Sequence, residues 1–213
     1  MKNNKVNARV AAFVGMLGAL SMVLQMFEVA LPFAPSFMKF DISELPALFA
    51  GFLLGPVAGC LVVVVKLLLK LVTRGSSTAF VGEFSNLIGS CFYVLCAALI
   101  YIRHKTKKTA VMALVISTIS VSLVQVLLNA WVMFPLYSNL YGLSMDVIIG
   151  MGHAVNPMIN DNLTMMLFGV LPFNLFKHGI TSLVTFLLYK RVSRPLKDLL
   201  RTEAAETARQ LRQ

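Results

Sequence analysis

Charged residues are scarce in this sequence. Of its 213 residues, 58% are hydrophobic and only 13% are charged, and the mean hydropathy is +0.79. A water-soluble globule of this size needs more polar surface than such a composition supplies. The composition therefore excludes a soluble domain and predicts a chain whose main solvent is lipid.

Cysteines and catalytic motifs are also few. The three cysteines are Cys60, Cys91 and Cys96. They lie in apolar runs without metal-ligand spacing, so neither a zinc site nor a disulfide framework is expected. The sequence has no G-x-x-x-x-G-K-[ST] loop for binding and hydrolysing ATP, and no H-E-x-x-H or G-x-S-x-G motif. We therefore expect a protein that is not an enzyme and uses no cofactor.

The net charge of +10 is confined to a few places. Basic residues cluster near the N-terminus, over 103–108 and over 190–197, at the ends of apolar segments. This distribution is typical of membrane topology signals and disfavours nucleic-acid binding. It predicts that both termini and the 103–108 loop face the cytoplasm.

Four apolar segments are long enough to cross a bilayer. Segments 10–27, 84–102 and 110–134 carry no internal charge, and 163–189 carries Lys177 near its middle. About 20 apolar residues span the hydrocarbon core as a helix. The first segment has no convincing cleavage site, so we expect a retained helix rather than a signal peptide. Lys177 is expensive at this depth unless it has a partner.

The remaining apolar stretch, 45–72, contains Gly55-Pro56 near its middle. An even number of crossings is needed between the cytoplasmic N-terminus and the cytoplasmic 103–108 loop, which predicts two helices with a turn at Gly55-Pro56. The first of them, 43–54, is short for a spanning helix, so either its neighbours shield its ends or the bilayer thins locally. The predicted fold is an all-α membrane protein, a bundle of six transmembrane helices with both termini in the cytoplasm.

The chain shows no internal repeat and no linker. We expect a single six-helix membrane domain over 1–196 and a cytoplasmic C-terminal extension over 197–213. The stretch 135–161 is expected to be a loop on the outer side.

Polar residues within these segments concentrate toward the predicted outer side. They are Asp41, Glu44, Glu83, Asn86 and Asn129, with Lys66 and Lys177 deeper. One interpretation is a cup that opens outward and binds a small molecule. The alternative is structural: Lys66 pairs with Glu83, and Asn129 satisfies a backbone carbonyl, to hold helices together.

Two further patterns allow more than one interpretation. Lys66, Lys70 and Arg74 recur every four residues, which fits attraction of an anionic ligand or lipid head groups, or snorkelling to the interface. Small residues also recur every four positions in the first helix, at Ala11, Gly15 and Ala19. Such a flat strip serves either a partner protein or an internal helix contact.

Several segments carry a family resemblance. They are MLGALSMVL, FDISELPALFAGFLLGPVAG, LLNAWVMFPLY and GVLPFNLFKHGITSLVTFLLYKR. Through them the chain resembles the RibU-type riboflavin-binding S components of energy-coupling factor (ECF) vitamin transporters. The resemblance implies a six-helix protein of the cell membrane that binds riboflavin at its outer side. It also implies association with a membrane coupling subunit and two cytoplasmic ATPases.

The resemblance, with the chemistry of a flat ring and a polyhydroxylated tail, also implies a binding site. The predicted residues are Phe40, Asp41, Leu45, Asn86, Asn129 and Lys177. Asn129 and Lys177 would hydrogen-bond the flavin, Phe40 and Leu45 would supply walls, and the loop with Asp41 would close over it. The strip of Ala11, Gly15 and Ala19 would dock on the coupling subunit.

Two rival functions stay open. The scaffold does not fix the ligand, so an S component for another vitamin or precursor is one of them. The other is a self-sufficient secondary transporter in which Lys177, Glu83 or Asp41 carries a proton.

Overall fold

The computed structural model describes residues 2–76, 78–142 and 144–189, which form helices and one short hairpin. The helices are α1 (Lys2–Met26), α2 (Glu44–Leu54), α3 (Pro56–Arg74), α4 (Val81–Arg103), α5 (Lys107–Leu128), α6 (Phe134–Tyr141), α7 (Met145–His153), α8 (Asn162–Met165) and α9 over 171–189. The hairpin strands are β1 (Val29–Ala30) and β2 (Lys39–Phe40). The predicted extension 197–213 lies outside the described residues.

Five helical stretches of the described chain are long and apolar enough to cross a membrane. They are Ala8–Met26, Pro56–Arg74, Val81–Arg103, Lys107–Leu140 and Asn162–Tyr189. Large apolar side chains are exposed along them, for example Leu61, Leu123 and Leu187. A bundle with apolar side chains on its outside is suited to lipid, as the composition predicted.

The predicted break at Gly55-Pro56 is confirmed. Helix α2 ends at Leu54 and α3 begins at Pro56. Gly55 has φ +107°, a conformation that side chains disfavour. Pro56 is suited to the first helical position, where its missing N–H is not needed.

Helix α2 is enclosed by other helices, which explains how so short a helix is accommodated. Every residue from Glu44 to Phe52 is buried, and α1, α3 and α4 pack around the helix. Its sequence is therefore apolar on all sides rather than on one stripe. Of the two expectations for this short helix, shielding by its neighbours fits the structure.

Each of the last two long helices contains a π turn followed by a proline. The turn Asn129–Met133 joins α5 to α6, and the turn Met166–Val170 joins α8 to α9. In each case the second residue after the turn is a proline, Pro135 or Pro172. Proline lacks an N–H and its ring crowds the preceding turn of an α-helix, and π turns often accompany such irregularities. The wider turns are consistent with helices that pass through both prolines without ending.

The expectation of a loop over 135–161 is wrong in part, because the segment contains most of α6 and all of α7. Ser144 caps α7 by accepting a hydrogen bond from the Val147 N–H. Asp161 caps α8, and hydrogen bonds from the Thr164 backbone N–H and hydroxyl lower the pKa of Asp161. Apolar residues of this region form a second core cluster with the π turns. Some of its Gly, Asn and Pro residues lie between helices, such as Gly142, Asn156 and Pro157, but others, such as Pro135 and Gly150, lie within them.

The hairpin was not predicted. Its strands pair antiparallel, with Val29 opposite Phe40 and Ala30 opposite Lys39. An ion pair of 2.9 Å between Lys39 and Glu28 adds to the pairing. The hairpin fixes the ends of the intervening segment 31–38 at one end of the bundle, here called the hairpin end.

Gly59 permits a close approach of α3 to α2 and α4. A Cβ at Gly59 would lie 2.9 Å from the Ala47 carbonyl oxygen and 2.5 Å from a Val94 methyl carbon. We expect Gly59→Ala to lower the free energy of unfolding by about 1–3 kcal/mol. In Gly179→Ala, whose Cβ would meet no described atom within 4 Å, we expect equal or higher stability. Thermal unfolding of both variants in detergent checks this, and equal melting temperatures would contradict it.

Candidate functional site

A polar cavity of about 140 Å³ opens at the hairpin end of the bundle. Its aromatic walls are Phe37, Tyr137 and Phe173. Its polar lining consists of Lys39, Glu44, Ser85, Asn86, Ser90, Gln125, Asn129, Asn174, Lys177 and His178. A second cavity of about 130 Å³ adjoins it and shares six lining residues with it: Phe37, Lys39, Gly82, Asn86, Tyr137 and Lys177. Apolar walls with convergent polar groups are the usual makeup of a small-molecule site.

A larger groove lies elsewhere, between α5 and α9. Its volume is about 330 Å³ and its lining is mostly apolar, including Val115, Ile119 and Leu183. These side chains are on the exposed outside of the bundle. The groove therefore fits a lipid-facing surface, whereas the polar cavity has groups that fix a ligand's orientation.

Four buried charges lie beside the polar cavity. Lys177 Nζ lies 2.9 Å from Asp41 Oδ2 and 3.7 Å from Glu44 Oε1. Lys66 Nζ lies 3.5 Å from the same Glu44 oxygen. All four side chains are at most 9% exposed. Since two cations face two anions, the cluster is neutral, and the burial of each charge is compensated by its partners.

Local structure holds the two carboxylates in place. Asp41 follows β2 and its Oδ1 accepts a hydrogen bond of 2.8 Å from the Ser43 N–H. Glu44 is the first residue of α2, where a negative charge is favoured by the helix dipole. Ser90 on α4 donates to Glu44 Oε1 at 2.9 Å. The site is thus built from the hairpin, α2, α4 and α9 together.

The expected pair between Lys66 and Glu83 is wrong. Glu83 pairs with Lys70, at 3.3 Å, while its other oxygen accepts hydrogen bonds from Ser76 and Thr78. Lys66 lies one turn earlier on α3, where it donates to Ser43 Oγ and Asn86 Oδ1.

The basic stripe on α3 therefore has different partners at its three positions. Lys66 reaches the buried cluster, Lys70 reaches Glu83, and Arg74 donates to the Met26 carbonyl at 3.4 Å. Internal contacts account for the four-residue spacing.

Asn129 opens the π turn after α5 and lines the cavity. Its Nδ2 donates to the Gln125 carbonyl at 2.8 Å and lies 3.5 Å from Gln125 Oε1. Gln125 in turn contacts Ser85 on α4, whose hydroxyl donates to Gln125 Oε1 at 3.3 Å. Asn129 therefore satisfies a backbone carbonyl as expected, but that carbonyl belongs to its own helix, and the contact between helices is made by Gln125.

Four of the six predicted site residues meet at the two cavities. They are Asp41, Asn86, Asn129 and Lys177. The Phe40 ring packs against Phe176, with centroids 5.6 Å apart, and Leu45 is buried in the bundle. Neither is among the residues that line the two cavities, and the aromatic walls come from Phe37, Tyr137 and Phe173 instead.

Comparison with known families identifies this architecture. The family described as ECF transporter, substrate-specific component, matches residues 9–189. The chain belongs to this family. The predicted resemblance is thereby confirmed, and the S component is a multi-pass membrane transport protein rather than an enzyme.

Individual relatives support the assignment of this chain to the S components. This chain is 33% identical to the riboflavin transporter RibU of Staphylococcus aureus (strain TCH60), over 87% of this chain and 91% of that one. It is 28% identical to the riboflavin transporter FmnP of Bacillus subtilis (strain 168), over 82% and 86% respectively. A solved S component of a bacterial ECF transporter superposes with a TM-score of 0.70 at 31% identity, covering 90% of this chain and 99% of that one.

Seven of the ten polar residues that line this S component's larger cavity were not among the predicted site residues: Lys39, Glu44, Ser85, Ser90, Gln125, Asn174 and His178. Glu44 and His178 are two of these seven residues. Both are buried and both line the cavity. Neighbouring positions of one helix can both line a cavity that is wider than one side chain. The position of His178 next to Lys177 in the sequence was therefore a signal that His178 lines the cavity. The described residues hold no group of three His, Cys, Asp or Glu side chains placed for a metal ion.

The small-residue strip on α1 faces away from the S component's bundle. Ala11, Gly15 and Ala19 are exposed, and a Cβ at Gly15 would meet no atom of the described chain within 4 Å. The internal contact of α1 is made instead by Gly18, where a Cβ would collide with Val65 of α3. Of the two interpretations, an internal contact no longer fits the strip.

Proposed function

We propose that this S component captures riboflavin in the polar cavity and delivers it for ATP-driven uptake by an ECF-type module. The observation that carries the proposal is a cavity with aromatic walls and buried amide and ammonium groups, in a chain whose relatives are named riboflavin transporters. The flavin ring is flat and bears carbonyls and ring nitrogens, and its tail is polyhydroxylated. Stacking surfaces and hydrogen-bonding groups both match such a ligand.

Each predicted site residue receives a role in this proposal. Lys177 has three N–H donors, of which the 2.9 Å bond to Asp41 uses one. Its remaining donors and the amides of Asn86 and Asn129 bind the flavin. Asp41 ties the hairpin segment to α9 through Lys177. Phe40 supports the site from behind by packing on Phe176, and Leu45 by anchoring the start of α2 in the core.

The proposed topology has six crossings, with α2 as the short second one, and both termini in the cytoplasm of a bacterial cell. The hairpin end then faces outward, so that the cavity meets the external medium. The basic 103–108 loop at the opposite end supports this orientation. We propose one membrane domain over 1–196 and a cytoplasmic extension over 197–213.

The proposed partners are a membrane coupling subunit and two cytoplasmic ATPases. The chain itself has no ATP-binding loop of the G-x-x-x-x-G-K-[ST] type, so ATP hydrolysis that drives uptake is assigned to other subunits. The exposed strip of Ala11, Gly15 and Ala19 permits close approach of a partner helix and is the proposed docking surface.

Uptake by reconstituted vesicles tests the delivery step. Vesicles with this chain alone should accumulate no radiolabelled riboflavin, with or without a pH gradient. Vesicles that also contain the coupling subunit and ATPases of the same cell should accumulate riboflavin only when ATP is present on the side of the membrane where the ATPases lie. Uptake by the chain alone, driven by the gradient, would contradict the proposal and favour the secondary transporter.

A further inference from the structure

Three buried polar atoms at the two cavities have no hydrogen-bond partner among the described residues. Glu44 Oε2 and His178 Nδ1 belong to residues that line the larger cavity, and Gln25 Oε1 to a residue that lines the adjoining one. A buried polar atom without a partner is destabilising and rare in folded proteins. Three of them around one pair of cavities indicate groups that a ligand satisfies.

One carboxylate oxygen of Glu44 has partners, and the other has none among the described residues. Oε1 accepts from Ser90 and lies near both lysines, at 3.5 and 3.7 Å. Oε2 is left with its lone pairs, and the side chain is only 1% exposed. The lysines are themselves directed elsewhere, Lys66 to Ser43 and Asn86, and Lys177 to Asp41. The described residues therefore offer this oxygen no hydrogen-bond donor.

His178 is the neighbour of Lys177 on α9 and is 3% exposed. Its ring packs on Tyr93, with centroids 4.6 Å apart, which fixes the ring's position. A neutral imidazole has one nitrogen that accepts a hydrogen bond. When Nδ1 is the nitrogen without the proton, His178 adds a second hydrogen-bond acceptor beside Glu44.

Two hydrogen-bond acceptors in the site need donors from the ligand, and the two ends of a flavin differ in the donors that they offer. The ring system offers a single N–H, and its carbonyls and other nitrogens only accept. The tail carries a row of hydroxyls, each of which donates. We infer that Glu44 Oε2 and His178 Nδ1 accept hydrogen bonds from tail hydroxyls, so that Glu44 makes the site selective for flavins with a hydroxylated chain. This inference rests on the proposed function.

Comparing riboflavin with lumiflavin tests the inference. Lumiflavin has the same ring, including its N–H, but a methyl group replaces the tail. The wild-type protein should bind riboflavin about 10- to 100-fold more tightly than lumiflavin, the range expected for hydrogen bonds to a charged group. Glu44→Gln should weaken riboflavin binding about tenfold and leave lumiflavin binding within about twofold. Quenching of flavin fluorescence by purified protein measures all four affinities.

Asp41→Asn is the matched control. It also neutralises a carboxylate of the buried cluster, but both Asp41 oxygens already have partners, Ser43 and Lys177. It should change the two flavin affinities by the same factor and leave their ratio as in the wild type. Its effect thus separates a loss of cluster charge from the loss of a tail contact.

The outcomes are distinguishable. A wild-type protein that binds neither flavin overturns the proposed function itself. A wild-type protein that binds both equally well overturns the inference, even if Glu44→Gln does not fold. A folded Glu44→Gln protein overturns the inference as well if its affinities for riboflavin and lumiflavin fall by the same factor, or if neither falls. Loss of affinity confined to riboflavin supports it.

Discussion

In Lys177→Met we expect riboflavin affinity to fall about 10- to 100-fold, because the variant loses a charged donor in the cavity. It also leaves Asp41 buried without its ion-pair partner, since the 2.9 Å contact to Lys177 is lost. Breaking a buried pair on one side costs about 3–5 kcal/mol of stability. Fluorescence-quenching titration measures the affinity, and thermal unfolding in detergent measures the stability.

A double variant separates the two effects of Lys177. Lys177→Met combined with Asp41→Asn removes both charges, while Glu44 keeps its contact with Lys66. We expect most of the lost stability to return and the riboflavin affinity to stay low. Lys107→Met, which removes the same charge at the opposite end of the bundle, is the control and should change neither quantity. Recovery of riboflavin binding in the double variant would show that Lys177 only holds the structure together.

In Gly15→Leu we expect uptake by the complete transporter to fall at least about tenfold, equivalent to about 1.4 kcal/mol of lost association. A leucine would protrude from the exposed strip and keep a partner helix from approaching α1 closely. Riboflavin binding by the purified chain should stay within about twofold, because α1 contributes none of the residues that line the larger cavity. Uptake into vesicles that contain all subunits, with a binding titration in parallel, measures both.

Gly150→Leu is the matched control for the strip. Gly150 is also an exposed helical glycine, and a Cβ there would meet no described atom within 4 Å. It lies on α7, far along the chain from α1, so its substitution should leave uptake unchanged. If both leucine variants transport normally, the strip of Ala11, Gly15 and Ala19 is not the docking surface.

The sequence predicted those features that depend on local chemistry. Gly55-Pro56 marked a helix break because few residues adopt a positive φ and proline is suited to a helix start. Lys177 drew attention because a cation inside an apolar segment requires a partner. Both predictions depend on the free energy of placing a single residue in a particular backbone conformation or in an apolar segment.

Features that depend on how helices pack against one another were missed. Lys66 was paired with Glu83, yet Lys66 lies 3.5 Å from Glu44. Glu83 pairs with Lys70 instead, and α2, which carries Glu44, packs against both α3 and α4. The paired strands Val29–Ala30 and Lys39–Phe40 are two residues long and too short to show an alternating pattern. The π turns leave one trace in the sequence, the prolines at 135 and 172, and proline usually indicates the end of a helix.

The central claim is that the polar cavity binds riboflavin, and titration of riboflavin with the purified wild-type chain tests it most directly. The chain should be washed free of endogenous ligand by partial unfolding and refolding in detergent, then added to riboflavin while its fluorescence is recorded. We expect quenching that saturates at one flavin per chain and is reversed by denaturation. A chain that remains folded and quenches no riboflavin fluorescence at micromolar concentrations would contradict the account.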